Sequence, residues 1–345
     1  MERIQTIGIV GGNLLASMLG IEAKKRGIKT LLLEPEIDNI AAHIVDQHLI
    51  SPINRTTIER LALRVDVVIF AIAEIPILPK KVLDTYRFVP SQGGVDLVAS
   101  RVEQLICAGL AEVPTPTYYH HTNKFEFLNL LQACEAPYRV YQVYQDGYEM
   151  MEIESEASRE VFLSEIDDLA VEWIAEMKNT YQRILSLSVI KKAGKVYTYP
   201  IQEEHLQADD DIKYMVMPPN ITKPMSQKVI RYAKKMLAEV DTEGLFSFKF
   251  GIKEKQLEFI GVNPGVTVGD IATLHCTDLS IYEQVINLLD GEKIKNGVLT
   301  SGCELTAVVE GDESYQPKFP YHKYQFDRQS KQPVNLYIKK IDLED

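Results

Sequence analysis

An apolar run that stops at a glycine turn constrains what the start of this chain can become. Thr6 to Val10 is too uniformly apolar to alternate between core and water, so it reads as a strand buried on both faces. Gly11-Gly12-Asn13 then makes a tight turn. Leu14 to Arg26 reads as a helix, with Leu14, Leu15, Met18 and Leu19 as its apolar positions and Gly27 as its stop. A second strand, Ile28 to Leu33, ends in Glu34, and the amphipathic stretch Thr56 to Leu63 precedes a third, Val65 to Phe70. Strand–helix–strand alternation gives a parallel sheet with helices on its faces. The first hundred residues are therefore expected to form one small doubly wound domain of an α/β protein.

With 345 residues the chain has room for two or three domains. Ser91 to Cys107 reads as a helix, and Val113-Pro114-Thr115-Pro116-Thr117 as a proline-stiffened connector. Strands are expected at Tyr138 to Tyr144, Leu185 to Lys191, Leu245 to Phe250 and Gln256 to Val262, and helices at Asn123 to Cys134, Ile166 to Met177 and Ser280 to Leu289. Eleven acidic residues and one basic residue, Arg159, fall between Asp146 and Glu176. Such a run reads first as a solvated helix face plus loop.

The formal net charge of −12 argues against nucleic acid or an anionic membrane as a partner, because both are polyanions. No apolar run approaches the ~18 residues of a spanning helix. Strand-like sequence begins almost at once and leaves no room for a signal peptide, so a cytoplasmic protein is expected. Cys107, Cys134, Cys276 and Cys303 are far apart, form no Cys-x-x-Cys pair and read as buried reduced thiols; no metal site is expected from them.

A glycine turn at a helix start lets backbone N–H groups approach an anion. Read against G-x-G-x-x-G, the run Gly11-Gly12-Asn13-Leu14-Leu15-Ala16 has Asn13 and Ala16 in place of the second and third glycines. Glu34 sits where a dinucleotide fold keeps its ribose-binding acid. A nicotinamide-dependent oxidoreductase is thus one reading of the first domain, and a turn that serves packing alone is another.

A longer pattern runs through the whole chain. Ile7-Gly8-Ile9-Val10-Gly11-Gly12-Asn13-Leu14, Asp66 to Phe70 followed by Ile75-Pro76, Val89-Pro90-Ser91, Arg101 and Val113 to Pro116 keep one spacing. So do Pro137, Glu172-Trp173-Ile174, Ser188-Val189-Ile190, Tyr199-Pro200, Gly244, Pro264, Thr273, Gly291 and His322-x-Tyr324. In this spacing the chain resembles 5-(carboxyamino)imidazole ribonucleotide synthase, the ATP-grasp subunit of phosphoribosylaminoimidazole carboxylase. The resemblance implies an N-terminal Rossmann-like preATP-grasp domain over residues 1–100 and a grasp domain over 101–290. Within the latter it implies a small lobe at about 113–175 and a large lobe at about 176–290, followed by a small β-rich C-terminal domain over 291–345. It also implies a homodimer.

In that family ATP lies between the two lobes, and ADP, phosphate and a carboxylated aminoimidazole ribonucleotide are the products. A triphosphate needs lysines on its phosphates, carboxylates on Mg²⁺ and a flexible glycine loop. At those positions this sequence departs. Gln142 and Leu105 replace lysines, and Ser100 replaces an acid. Lys249 and Gly261 replace the two metal carboxylates, and Gly265 replaces an arginine. The closing loop becomes Gly147-Tyr148-Glu149-Met150-Met151-Glu152. The two acids of the ribonucleotide site are Ala71 and Ala73, and the basic tail motif reads Gln332-Pro333-Val334-Asn335-Leu336. Residual nucleotide contacts would come from Glu172, Trp173 and Gly147, and substrate contacts from Gly11, Gly12, Asn13 and Leu14.

Glycines, prolines and apolar strand residues persist while the charged residues of the chemistry do not. The expectation is a non-catalytic binding or regulatory homologue with no cofactor, whose partner is a small anionic ligand or a protein. The alternative is a divergent, active ligase using ATP and Mg²⁺. Lys249 has two readings: its ammonium meets a ligand phosphate or carboxylate directly, or it pairs with Glu258 or another acid across the sheet.

Overall fold

The computed structural model describes residues 3–72, 74–144, 147–181, 183–206, 212–312, 315–328 and 331–343. The opening strand forms as expected over Thr6–Val10, and Asn13 starts the helix Leu14–Lys25 by accepting hydrogen bonds from the Leu15 and Ala16 amides. A second cap fixes Arg55–Ala62, where Asn54 and Thr57 bond each other's backbone amides reciprocally. Five parallel strands, in the order 47–49, 29–33, 6–10, 67–70 and 88–89, make the N-terminal sheet. This is the doubly wound domain read from the alternation of elements.

Two further sheets follow. Strands Tyr118–His121, Glu172–Met177, Tyr138–Tyr144 and Gly147–Ile153 form a four-stranded antiparallel sheet. Nine strands between residues 183 and 341 form the large sheet, and the last three, Gly302–Val309, Lys331–Ile341 and His322–Arg328, continue it edge to edge from Ile212–Met217. The C-terminal strands therefore extend the large lobe's sheet. Among the described residues no helix is long and apolar enough to cross a membrane.

Two expected elements are corrected. Ser91 to Cys107 is two helices, Gln92–Ala99 and Arg101–Leu110, because Ser100 is extended and caps the second by accepting from the Glu103 amide. Ile166 to Met177 is a loop followed by the strand Glu172–Met177. Glu172 and Glu176 are four apart and mimic a helix face. The observed period is two, with Trp173 and Ala175 in the small-lobe core and Ile174 packed on the other face.

The strand Arg183–Lys192 sets the two faces of the large sheet. Leu185, Leu187 and Val189 pack with Phe246, Phe248 and Phe250 under the helix Lys223–Ala238. Ser186 and Ser188 point the other way, opposite Lys249 and Ser247 of the strand Gly244–Lys253. Beyond them Ile190 and Leu245 join Ile7, Leu14 and Ile69 in a core shared with the N-terminal domain.

Gly265 closes that junction. Its φ is +71°, and a Cβ there would lie 2.2 Å from the carbonyl oxygen of Phe70, which ends a strand of the N-terminal sheet. No side chain fits, so an arginine at this position is sterically excluded. Gly265→Ala is expected to lower unfolding stability by about 3 kcal/mol or more, measured by urea denaturation; a neutral substitution would contradict the close approach.

Candidate functional site

The polar face of the large sheet carries a connected set of side chains. Lys249 Nζ lies 2.8 Å from Glu204 Oε2, and the Glu204 side chain is fully buried while that of Lys249 is one-quarter exposed. Ser186 donates to the other Glu204 oxygen. Glu258, the other acid considered for Lys249, instead accepts from Asn179 Nδ2 at 2.8 Å and from the Tyr181 hydroxyl at 3.1 Å. The ammonium thus meets an acid two strands away. Gly261 is the direct cross-strand partner of Lys249, and a Cβ built on it would meet Gln104 Oε1 at an ordinary 3.6 Å.

Asp270 sits behind this pair with no exposure. Its carboxylate accepts from the Thr267 amide at 2.7 Å, the Thr267 hydroxyl at 3.1 Å and the Ser188 hydroxyl at 2.8 Å. Burial raises its pKa to about 6, against the pull of those donors, and the nearby Glu204 charge adds to the rise.

At the glycine turn the Gly11, Gly12, Leu15 and Ala16 amides have acceptors within the chain. Gly11 N–H donates to the Leu33 carbonyl at 3.0 Å, and Gly12 N–H donates to Glu34 Oε2 at 2.7 Å. Leu15 and Ala16 donate to Asn13 Oδ1, while Asn13 Nδ2 donates to the Ala71 carbonyl at 2.7 Å. A Cβ on Gly12 would lie 2.5 Å from Glu34 Cγ, so the glycine is needed for the carboxylate to reach the turn. Leu14 is buried in the shared core. The chain's own Glu34 carboxylate stands where an incoming anion would bind.

Where the small lobe meets the helix Arg101–Leu110, Arg101 and Glu176 form a two-point ion pair, Nε to Oε2 at 2.9 Å and Nη2 to Oε1, with both side chains 7% exposed. Burial opposes the Arg101 charge, and Glu176 outweighs it, leaving the pKa raised. Gln104, one turn on, accepts from Arg101 and exchanges two hydrogen bonds with the Val262 backbone. The guanidinium lies 5.9 Å from the Phe259 ring. Three parts of the molecule, the helix Arg101–Leu110, the small lobe and the large sheet, are joined at this point. Val102 and Leu105 pack beside it on Tyr141, Val143 and Ile174.

The remaining predicted positions are dispersed. Gln142 is buried and accepts from the Asp167 amide at 2.8 Å. Glu172 Oε2 lies 2.9 Å from His120 Nε2, both about one-third exposed. The Trp173 ring is in the small-lobe core, 6.3 Å from Phe127. Gly147 opens the strand Gly147–Ile153, paired with Tyr144. Ala73 and Asp146 lie outside the described residues. Glu204, Glu176 and Asp270 were missed in the sequence, because each gains its meaning from a partner 45, 75 or 82 residues away. The adjacent acids Glu203 and Glu204 in a strand were the available signal.

Residues 4–96 match the ribonucleotide synthetase preATP-grasp domain and residues 108–281 match the ATP-grasp domain. The N5-carboxyaminoimidazole ribonucleotide synthase of Bacillus subtilis (strain 168) is 23% identical over 325 residues, covering 89% of this chain and 84% of the relative. Among solved structures, the Staphylococcus aureus N5-carboxyaminoimidazole synthetase complexed with ADP superposes with a TM-score of 0.79 at 17% identity, over 99% of this chain and 94% of the other. The Aspergillus clavatus N5-carboxyaminoimidazole synthase in complex with ADP and 5-aminoimidazole ribonucleotide gives 0.79 at 16%, over 99% and 95%.

Two outcomes are expected. Glu176→Ala leaves the Arg101 charge buried without its partner and should cost about 3–5 kcal/mol in urea unfolding, whereas removing both charges as Arg101→Met with Glu176→Leu should recover most of it. Asp270 has a folded pKa above its unfolded value, so the folded state holds its proton more tightly. Its contribution is most favourable below about pH 4 and is lost as pH rises to about 6. The stability of wild type relative to Asp270→Asn should therefore fall between those pH values and stay level above them. A flat difference would contradict the assignment.

Proposed function

Because this chain belongs to the ATP-grasp family and resembles N5-carboxyaminoimidazole ribonucleotide synthase, we propose that it keeps the fold as a binding or regulatory protein and does not run Mg–ATP chemistry. The observation that carries this reading is the Lys249–Glu204 ion pair. A metal-bound triphosphate needs carboxylates facing the ion. Here the position that resembles a metal carboxylate holds an ammonium, and the buried Glu204 carboxylate beside it is already paired with that ammonium. Bringing a divalent cation to this seat would set it against a fixed positive charge a few ångströms away, in a partly buried site where such repulsion is poorly screened.

The other grips support the same reading. Gln142 has no charge for a phosphate and spends its carbonyl on the Asp167 amide. Arg101 is held by Glu176, and the Gly12 amide by Glu34. Lys249, Arg101 and the Gly12 amide each have an internal acceptor. A protein of this kind acts by what its surface and remaining cleft bind. Its ligand would be a small anion able to compete with Glu34 or Glu176, or another protein. Cytoplasmic residence and self-association are part of the same proposal.

The direct test is ADP release from ATP and Mg²⁺ with aminoimidazole ribonucleotide and bicarbonate, beside the thermal shift produced by Mg–ATP. No turnover and no shift at about 100-fold above a typical family dissociation constant are expected, where a bound ligand would contribute about 2.7 kcal/mol. Turnover that depends on Mg²⁺ would instead establish a divergent ligase. A second experiment restores the charge pattern: Lys249→Glu with Gly261→Glu puts two carboxylates on directly paired strand positions. That variant should gain a Mg²⁺-dependent rise in Tm that wild type lacks.

A further inference from the structure

Two histidines on separate elements meet face to face at the C-terminal edge of the large sheet. His275 belongs to the short helix Thr273–Cys276 and His322 to the edge strand His322–Arg328; their ring centroids are 3.6 Å apart and their planes 10° from parallel. His275 Nε2 lies 2.8 Å from the Tyr324 hydroxyl, which leaves Nδ1 as its spare nitrogen. His322 is the cross-strand partner of Ile338, and Lys340 lies two residues further along that strand, so His322 and Lys340 share one face. Lys340 is in turn paired with Cys303. Two residues before Cys303, the Ser301 hydroxyl is buried with only the Cys276 thiol, a weak partner, beside it.

These groups have no counter-charge, although the chain as a whole carries a formal −12. His322 and Lys340 are exposed, and neither makes an ion pair among the described residues. Burial, the His322 charge and the Lys340 ammonium together lower the His275 pKa to about 4, and no carboxylate is among the groups that act on it. A metal ion would not relieve this. Parallel rings aim their lone pairs side by side instead of at one point, and among the described residues no group of three or more His, Cys, Asp and Glu side chains could hold a metal. An anion needs only donors and positive charge, and both converge here.

We infer that His275, His322, Ser301 and Lys340 form a binding site for a phosphate group, carried free or on a small metabolite. The Lys340 ammonium supplies charge, while the two imidazoles and the Ser301 hydroxyl supply hydrogens for the anion's oxygens. The bound anion offsets the mutual repulsion of the three bases. The stack holds the imidazoles side by side before the ligand arrives, so little order has to be imposed on binding. None of the four stands at a position that resembles the family's triphosphate or ribonucleotide grips, and the inference does not depend on whether the cleft runs Mg–ATP chemistry.

Isothermal titration calorimetry of the full chain with inorganic phosphate, against sodium chloride of equal ionic strength, tests it. One saturable site is expected, and saturation should shift the ring-proton resonances of both His275 and His322. Lys340→Ala and His322→Gln should each weaken phosphate binding about tenfold or more, with unchanged circular dichroism. Lys339→Ala removes the same charge from the opposite face of the same strand, where Lys339 lies 3.4 Å from Glu304, and should bind like wild type. Glycerol 3-phosphate is the second probe: tighter binding than phosphate upholds the site with a phosphomonoester as ligand, and equal or weaker binding upholds it with the free ion. No phosphate binding beyond the chloride control overturns the inference. So does binding that survives Lys340→Ala, falls equally in Lys339→Ala, or leaves both histidine resonances unmoved.

Discussion

The ladder between Arg183–Lys192 and Gly244–Lys253 is the constraint on which the rest of the large lobe depends. A strand alternates its side chains, so one register fixes both faces at once. In this register Leu185, Leu187 and Val189 must meet Phe246, Phe248 and Phe250, and that greasy face requires the helix Lys223–Ala238 as a cover. The same register leaves Ser186, Ser188, Ser247 and Lys249 together on the other face. A slip of one residue would bury the lysine under the helix and expose the aromatics. The polar face and the core packing are therefore two consequences of one pairing.

Given that face, electrostatics dictates its neighbours. An ammonium one-quarter exposed at the edge of a buried layer needs a counter-charge, and Glu204 supplies it from two strands away. Glu204 then lies close enough to Asp270 to raise its pKa further above the value that burial alone would give. The same logic holds at Arg101, where a buried guanidinium is kept charged by Glu176 and linked through Gln104 to the large sheet. Such pairs contribute modestly to net stability but are costly to break singly. They leave the Lys249 ammonium and the Arg101 guanidinium each facing a carboxylate of the same chain.

The element pattern of the N-terminal domain was legible because local rules sufficed there. Val10, Gly11 and Leu14 carry a strand, a turn and a helix within a few residues, and Asn13 and Asn54 cap helices through bonds to residues two or three positions on. The small lobe was harder. Glu172 and Glu176 sit at helical spacing yet lie in a strand, since pairing with Tyr118–His121 and Tyr138–Tyr144 on both sides outweighs the local charge pattern. The Ser100 break was hidden by apolar residues on either side that suit one long helix equally well.

The amino-acid order by itself determined the parallel opening domain, the resemblance to a known architecture and which residue types stand at particular positions, because these are properties of single residues and short spacings. It did not determine which contacts those residues make. Gln142 with Asp167, Lys249 with Glu204, Arg101 with Glu176 and Gly12 with Glu34 are contacts between residues 22 to 75 positions apart. Only the folded chain brings them within hydrogen-bonding distance, and at such separations one buried charge selects its partner by geometry and desolvation, which no linear pattern records.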